Sequence, residues 1–384
     1  GPERPRSIAR AARDRPEANL AVVSVPGSHA VNEAGQALAA GLHVFVFSDG
    51  VSLEDEIALK RRARERGLLV MGPECGTSIV NGVGLGFANR VRRGPVGLVG
   101  ASGTGLQEVT TLLHRLGSGV SHAIGTGGRD LHDGVEGITT LQALALLGGD
   151  AATRAIVLVS KPASDRVAAR VLDAASGVGK PVIACLLGWR GRTPPGVQAT
   201  ETLAEAAEAA VRATGGAAAS LPAPPRSRQK GTGAVAGLFT GGTLCEEARG
   251  IVGDASSRFV DFGAAEFTRG RPHPMIDPAL RTTAIAAAGG DGAVGVLLLD
   301  FVLGHCAHPD PVGAAAPGIR EARASAARAG REVAVVAHVV GTEDDVPSLA
   351  AQTQALRALD VTVYPSNRLA ALAARDLMGG QSGR

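Results

Sequence analysis

A glycine-rich turn between a predicted strand and a predicted helix has the clearest chemical potential in this chain. Residues 100–105 read Gly-Ala-Ser-Gly-Thr-Gly, after the apolar run 96–99 and before the helical pattern 106–116. Such a turn can direct backbone N–H groups and a helix N-terminus at one anion. Glu108 would then orient the ligand as a catalytic residue, although a simple helix cap explains the same turn. The residues predicted to bind a phosphate or carboxylate here are Ser102, Gly103, Thr104 and Gly105.

The same arrangement recurs twice, at residues 239–245 and 300–306. Both follow apolar strands and combine glycine with small or polar residues. In the second turn, His305, Cys306 and His308 are too closely spaced to be a good zinc site. Two other interpretations of these residues are a Cys–His nucleophile pair and a small buried thiol beside a loop histidine. An anion cradle is favoured at both turns. Its predicted residues are Gly241, Gly242, Thr243, Gly304, His305 and Cys306.

Arginines and a histidine lie on a proline-stiffened loop at residues 267–277. His273 suits acid–base chemistry near neutral pH, and Arg271 is predicted to act beside it as a catalytic residue. Arg269, together with Arg129 of the glycine-rich run 124–130, is predicted to bind a substrate carboxylate, because guanidinium groups bind carboxylates in a bidentate manner. A rigid solvated connector and a surface pair of Arg129 with its neighbour are the alternatives.

Composition excludes several functional classes. Hydrophobic residues make up 45% of 384 residues, which is enough for real cores, but aromatic residues make up only 3% and the net charge is +3. The chain therefore lacks the rings and basic patches of a nucleic-acid-binding protein. Four scattered cysteines without a CxxC pair predict a reduced, cytoplasmic protein without a metal site. No long apolar run predicts membrane insertion, and the opening Gly-Pro is interpreted as a processed or artificial start.

Short β-branched runs alternate with Ala-rich helical patterns, which predicts parallel sheets wound by βαβ crossovers. The fold class expected is α/β, with three doubly wound parallel-sheet domains of the Rossmann-like or flavodoxin-like kind. The predicted boundaries are a partial Rossmann domain at 1–93, a flavodoxin-like domain at 94–214, a linker at 215–232 and a second flavodoxin-like domain at 233–384. The first domain lacks an opening strand with a GxGxxG turn.

The chain resembles succinyl-CoA synthetase in several of these motifs. Residues 21–26, 69–75 and 96–104 are similar to its α-subunit, and residues 259–263 and 296–306 to the carboxy-terminal domain of its β-subunit. Both parts on one chain are typical of FdrA proteins. The segments that match FdrA are 53–57, 127–130, 239–244 and 270–278.

This resemblance implies two helix starts that share one phosphate, at Ser102–Thr104 with Glu108 and at Gly304–Cys306. It also exposes departures from the synthetase. Its phosphorylated histidine is expected within residues 188–195, which contain no histidine, and Glu74 stands where asparagine is usual. The ATP-grasp domain and the CoA-binding first turn are not recognised in the sequence.

The resemblance to FdrA proteins implies that this chain is a subunit of an oxamate carbamoyltransferase. The lack of a recognised phosphate carrier agrees with that reaction, because carbamoyl phosphate is already activated. That enzyme interconverts oxamate plus carbamoyl phosphate with oxalurate plus phosphate in allantoin breakdown, and catalysis would rest on positioning and charge stabilisation. Its partners would be YlbE-like and YlbF-like subunits and a small carboxylate or phosphate substrate, in a homo- or hetero-oligomer. The alternatives are an NDP-forming acyl-CoA synthetase subunit, the only case in which CoA or a nucleotide is expected, and a non-catalytic anion-sensing scaffold.

Overall fold

The computed structural model describes residues 5–216, 220–227, 229 and 231–379. Residues 217–219, 228 and 230 of the predicted linker, and the chain ends at 1–4 and 380–384, lie outside the described residues. The chain divides into two compact units. Unit 1 comprises Gly1–Gly86, Arg93–Leu106 and Val120–Thr200, and unit 2 comprises Phe87–Arg92, Gln107–Gly119 and Glu201–Arg384.

Unit 1 holds two sheets. The first has three parallel strands in the order β1-β2-β3, and the second has seven in the order β10-β9-β8-β6-β7-β4-β5. One helix, α4, begins in unit 1 and continues in unit 2. The elements up to β10 are α1 (Ile8–Asp14), β1 (Leu20–Val23), α2 (Gly27–Ala39), β2 (His43–Val46), α3 (Leu53–Glu65), β3 (Val70–Met71), β4 (Thr77–Val80), β5 (Val83–Gly86), β6 (Arg93–Ala101), α4 (Gly103–Arg115), β7 (Val120–Gly125), α5 (Ile138–Gly149), β8 (Ala155–Ser160), α6 (Asp165–Ser176), β9 (Val182–Leu186) and β10 (Val197–Ala199).

Unit 2 is built on one parallel sheet of five strands in the order β12-β11-β13-β14-β15. All nine residues of its central strand β13 are buried, since helices cover both of its faces. The elements are α7 (Leu203–Ala213), β11 (Ala234–Phe239), α8 (Gly242–Val252), β12 (Arg258–Asp261), α9 (Ala265–Thr268), α10 (Ala279–Gly290), β13 (Val294–Val302), α11 (Pro311–Arg328), β14 (Ala334–Val340), α12 (Leu349–Ala358), β15 (Thr362–Tyr364) and α13 (Asn367–Met378).

The predicted α/β class with several parallel sheets is confirmed. The seven-stranded sheet is not wholly parallel, however, because β4 and β5 form a hairpin and β4 pairs antiparallel with β7. The hairpin turn is Asn81-Gly82, and both residues have positive φ, at 51° and 82°. Two such residues form the tight turn that matches the twist of paired strands.

Local sequence explains where α3 starts and ends. The Ser52 hydroxyl accepts the N–H of Asp55, which caps the first turn. Acidic residues occupy that turn and Arg62 and Arg64 the last one, which complements the helix dipole at both ends. This helix presents Lys60 to the interior of unit 1.

Candidate functional site

The glycine-rich turn leads directly from β6 into α4, as predicted. The Ser102 hydroxyl accepts the N–H of Gly105 at 3.0 Å, so this serine caps the helix. Ser102 is 5% exposed and Thr104 is 7% exposed. The capping geometry leaves the first backbone N–H groups of α4 directed out of the helix, which is the arrangement that binds anions.

A buried hydroxyl group lies close to this helix start. The Oγ1 atom of Thr77 is 3.7 Å from the position that a Cβ atom on Gly103 would take. Thr77 is 1% exposed, and its Oγ1 atom has no hydrogen-bond partner among the described residues. A buried hydroxyl without a partner costs free energy unless a ligand or water satisfies it.

Glycines allow the backbone to close tightly around this region of unit 1. A Cβ atom on Gly125 would overlap the carbonyl oxygen of Thr77, and one on Gly127, which has φ +88°, would lie 2.5 Å from the carbonyl oxygen of Pro73. The N–H of Thr126 donates to the carbonyl of Gly100 at 2.9 Å. The loop after β7 is therefore held beside the glycine-rich turn.

Lys60 fixes that loop from inside unit 1. Its ammonium group lies 2.8 Å from Glu56 Oε1 and 2.7 Å from Asp130 Oδ1, and it donates to the carbonyl of Thr126 at 2.9 Å. Lys60 is 0% exposed. Sequence reasoning missed this residue, although an acidic residue four positions before a lysine on a helix was a usable signal.

Arg129 is placed differently from the prediction that it binds a substrate carboxylate. Its guanidinium lies 2.9 Å from Glu56 Oε2 and donates to the carbonyl of Val51 at 2.9 Å. Asp130, the neighbour that the alternative interpretation paired with Arg129 at the surface, is buried and accepts the hydroxyl of Thr140 at 2.6 Å. Arg129 thus already binds a protein carboxylate.

Glu108 also has partners within the protein. Its Oε2 atom is 2.7 Å from Nε2 of His338, and its Oε1 atom accepts the backbone N–H of Asn367 at 3.2 Å. Both Glu108 and His338 are 1% exposed. Both carboxylate oxygens of Glu108 are hydrogen-bonded to groups of unit 2. This geometry favours a role in positioning α4 over the predicted role of orienting a ligand.

The turn before α8 contains an anion supplied by the chain itself. The N–H groups of Thr240 and Gly241 donate to the carboxylate of Asp300 at 2.7 and 2.8 Å. Asp300 is also 3.1 Å from the buried guanidinium of Arg281. Asp300 therefore already binds the N–H of Gly241, and the prediction of external anion binding stays open for Gly242 and Thr243 in the first turn of α8.

Residues Gly304–Cys306 form a loop after β13, which differs from the expected helix start. The following helix, α11, begins only at Pro311, because Asp310 caps it by accepting the N–H of Gly313 at 3.0 Å. A Cβ atom on Gly304 would overlap the carbonyl oxygen of Phe87, and the N–H of His305 donates to the carbonyl of Ala88 at 2.9 Å. The side chains of His305 and Cys306 are exposed. Residues Gly304–Cys306 therefore do not lie at a helix N-terminus, so no helix dipole would stabilise an anion bound to them.

His273 is held in a defined ring orientation within unit 2. Its Nδ1 atom accepts the N–H of Met275 at 3.2 Å, and its ring packs on Phe87 at a centroid distance of 5.3 Å. Its Nε2 atom lies 2.7 Å from the position of a Cβ atom on Gly263. In the neutral tautomer that accepts at Nδ1, Nε2 carries the proton and is a donor.

The remaining predicted residues are at the surface. Arg269 and Arg271 are exposed.

Across the residues that the structure describes, no group of His, Cys, Asp or Glu side chains could hold a metal ion. In the same residues no helix has the length and apolar character needed to cross a bilayer.

Three of the four cysteines are buried, and Cys306 alone is exposed. Burial raises the pKa of the Cys75 thiol to about 11 and that of Cys245 to about 12. These two thiols are therefore protonated at neutral pH and unsuited to nucleophilic attack.

Comparison with known proteins defines the class of this α/β chain. A CoA binding domain family matches residues 91–185, and a CoA-ligase family matches residues 238–377. The first range contains the turn before α4, and the second contains the turn before α8. The chain thus contains a CoA-binding domain and a CoA-ligase domain in these two ranges.

One relative covers nearly the whole chain. It is the protein named "Uncharacterized protein YahF" from Escherichia coli (strain K12), which is 44% identical over 97% of this chain and 79% of its own length. The chain belongs to the YahF family.

Two further similarities are more distant. The α subunit 2 of succinate–CoA ligase [ADP-forming] from Archaeoglobus fulgidus is 32% identical over 50% of this chain and 65% of its own length. The solved structure of the dinucleotide forming Acetyl-coenzyme A synthetase 1 (apo form) from Ca. Korarchaeum cryptofilum shares 18% identity, with a TM-score of 0.43 over 97% of this chain and 84% of that one. That structural likeness carries no functional argument.

These matches show that the prediction of an oxamate carbamoyltransferase is wrong. Both matched families concern CoA, and the distant relative named above is a CoA ligase subunit. That prediction relied on two absences: neither the phosphorylated histidine nor the nucleotide-binding domain of the synthetase was recognised in this sequence. Another chain or segment can supply both, so their absence here did not exclude ligase chemistry.

Proposed function

We propose that this chain is a subunit of an NDP-forming acid–thiol ligase, which joins a small carboxylic acid to CoA. The observation that carries the proposal is the joint match of a CoA binding domain and a CoA-ligase family to two separate parts of the chain. The motifs quoted above for FdrA proteins support placing it in that narrower group.

The start of α4 would hold the phosphate of this reaction. Its support is local: a capped helix N-terminus, glycines that bring backbone within reach, and the unpartnered buried hydroxyl of Thr77. Backbone N–H groups and a helix dipole stabilise a phosphate group without a metal. The proposed phosphate-binding residues are Ser102, Gly103 and Thr104, since the N–H of Gly105 already donates to the Ser102 hydroxyl.

The nucleotide-binding part and the phosphate carrier are proposed to come from outside this sequence. Residues 188–195, where the resemblance places the carrier, contain no histidine. We therefore propose a cytoplasmic hetero-oligomer in which this chain supplies the CoA and phosphate sites.

Isothermal titration of CoA, and separately of inorganic phosphate, into the purified chain tests the binding part of this proposal. We expect both to bind, and a chain that binds neither would overturn it. A tagged chain isolated with its native partners should release ADP over repeated turnovers only when ATP, CoA and a carboxylic acid are all present, because ATP alone can at most phosphorylate the carrier once. Continuous ADP release without CoA, beyond one equivalent of the complex, would reject the ligase assignment.

A further inference from the structure

The seven-stranded sheet of unit 1 changes its winding direction between β6 and β8. Its order is β10-β9-β8-β6-β7-β4-β5. The connection that follows β6 leads to β7 on one side, whereas the connection that follows β8 leads to β9 on the other side. In open α/β sheets, ligands bind in the crevice outside the carboxyl ends of two strands related in this way. The topology of unit 1 therefore favours a ligand between the ends of β6 and β8.

Strand register places Lys161 beside this crevice. β6 and β8 are parallel neighbours, and their last registered pair is Ala101 with Ser160. Ser102 and Lys161 are the next residues along the two strands, so they begin the loops on the two sides of the crevice. Neighbouring strands lie about 4.8 Å apart, a distance that the four-carbon stem of a lysine spans. Lys161 is therefore within side-chain reach of an anion bound at the start of α4.

Positive charge predominates in the loops that follow β8 and β9. Residues 161–164 and 187–196 contain Lys161, Arg190 and Arg192, and they contain no Asp or Glu. Lys161 is partly exposed, and the two arginines are exposed. These loops therefore give the crevice a positive surrounding.

The loops after β8 and β9 are also in contact with each other. The N–H of Leu187 donates to the carbonyl of Ser160 at 3.0 Å. A Cβ atom on Gly188 would lie 3.9 Å from Cγ of Pro162. The charges of the two loops therefore act on the same edge of the sheet.

Carboxylates of the loop after β7 are paired with other cations of unit 1. Asp130 lies 2.7 Å from Nζ of Lys60. Asp133 and Glu136 lie 3.1 and 3.2 Å from the guanidinium group of Arg166. These ion pairs neutralise the acidic groups, so the acidic groups do not cancel the positive charge of the loops after β8 and β9.

The donors at the start of α4 carry no full charge. They are backbone N–H groups, hydroxyl groups and a helix dipole equivalent to about half an elementary charge. Such donors bind a carboxylate as well as a phosphate. A lysine ammonium adds a whole positive charge, and its Coulomb energy with a ligand is proportional to the charge of that ligand. An ammonium group beside this site therefore favours a dianion over a monoanion.

We propose that Lys161 binds the anion held at the start of α4 and makes this site selective for the phosphate dianion. The ligand is inorganic phosphate in its doubly charged form, and a carboxylate with a single charge binds more weakly. This inference rests on the proposed phosphate site, but it does not depend on the ligase reaction. It adds to that site a residue that belongs neither to the glycine-rich turn nor to α4.

Sulfate and methyl sulfate are suitable probes, because their charges are constant near neutral pH and differ by one unit. Isothermal titration at a constant ionic strength compares the wild-type chain with K161Q. Sulfate affinity should fall about tenfold in K161Q, which corresponds to the loss of one hydrogen bond to a charged group. Methyl sulfate affinity should fall only about threefold, because half the charge halves the Coulomb energy.

The matched control is R154Q, which removes a positive charge at the other end of the same strand. Arg154 is exposed and precedes β8, whereas Lys161 follows it. The length of β8 separates the two by about 20 Å, which is about two Debye lengths at physiological ionic strength. R154Q should bind both anions as the wild type does. K161R keeps the charge and should restore most of the preference for sulfate.

The outcomes separate this inference from the proposed phosphate site. If K161Q loses neither anion, or loses both equally, the role of Lys161 is overturned and the phosphate site stands. A loss of sulfate affinity in R154Q as large as that in K161Q would be an effect of net charge and would overturn the role of Lys161 as well. If the wild-type chain binds neither anion, both the phosphate site and the role of Lys161 are rejected.

Chemical labelling of the unmodified chain covers the case in which K161Q does not fold. The chain has only four lysines, so acetylation at each is easily followed by mass spectrometry. Saturating sulfate should slow the acetylation of Lys161 several-fold. Lys180, whose ammonium group donates to the carbonyls of Leu147 and Asp150, should react at an unchanged rate. Equal acetylation of Lys161 with and without sulfate would contradict the proposal.

Discussion

The carboxylate of Asp300 accepts the backbone N–H of Gly241 at 2.8 Å, just before the first turn of α8. A protein carboxylate thus occupies part of a turn whose sequence predicts binding of an external anion. Asp300 also faces the buried guanidinium of Arg281 at 3.1 Å, so its charge is compensated within unit 2. A glycine-rich turn of this kind can bind the chain's own carboxylate as well as a ligand.

Replacing Asp300 by asparagine should destabilise the chain by about 3–5 kcal/mol, because it leaves the buried Arg281 without its counter-charge. The control is D277N, which changes an exposed carboxylate that accepts the N–H of Ala279 at 3.0 Å. It should cost at most about 1 kcal/mol. Denaturant unfolding of both variants measures the difference, and equal losses would contradict the buried pair.

Lys60→Met should be similarly damaging in unit 1. It leaves Glu56 and Asp130 buried without the ammonium group that now lies 2.8 and 2.7 Å from them. We expect a loss of about 3–5 kcal/mol. Arg61→Met, on the same helix but exposed, should change stability by less than about 0.5 kcal/mol. If K60M were as stable as R61M, the ion pairs of Lys60 with Glu56 and Asp130 would contribute nothing to the stability of the chain.

Thr77→Val separates ligand binding from folding. The Thr77 hydroxyl has no partner within the described residues, so its removal should leave stability unchanged or slightly raised. Phosphate affinity should fall by about fivefold, equivalent to about 1 kcal/mol for one lost hydrogen bond.

The control for T77V is Thr153→Val, a threonine of equal burial whose hydroxyl bonds to Asp150 at 2.6 Å. It precedes β8, so it lies at the amino end of the strand, and the proposed site lies at the carboxyl ends. T153V should lose stability and keep phosphate affinity. The reverse pattern, with affinity lost only in T153V, would move the site to the other edge of the sheet.

Two adjacent glycines offer a matched pair for the loop after β7. Gly127 has φ +88°, and a Cβ atom there would lie 2.5 Å from the carbonyl oxygen of Pro73, whereas a Cβ atom on Gly128 would meet nothing within 4 Å. Gly127→Ala should therefore lower stability by about 1–3 kcal/mol, and Gly128→Ala should be close to neutral. Thermal unfolding compares them, and indistinguishable midpoints would mean that this backbone is not constrained.

The sequence identified the strands of the central sheets because apolar, β-branched runs such as that of β13 are long and bounded by turns. It missed the hairpin of β4 and β5, whose strands are short and contain glycines. The Asn81-Gly82 pair was the local signal that could have found it. It also missed α13, although Ser366 caps that helix by accepting the N–H of Leu369 at 3.3 Å.

The sequence by itself determined the α/β alternation, the glycine-rich turn before α4 and the helix caps, because these depend on neighbouring residues. Only the tertiary structure decided which charges meet. Glu108 and His338 are 230 positions apart, and Lys60 and Asp130 are 70 apart. Chain folding brings these groups together in the dry interior, where a charge is stable only beside its partner. Whether a carboxylate or arginine faces a ligand or another side chain is therefore a property of the fold, and local spacing does not encode it.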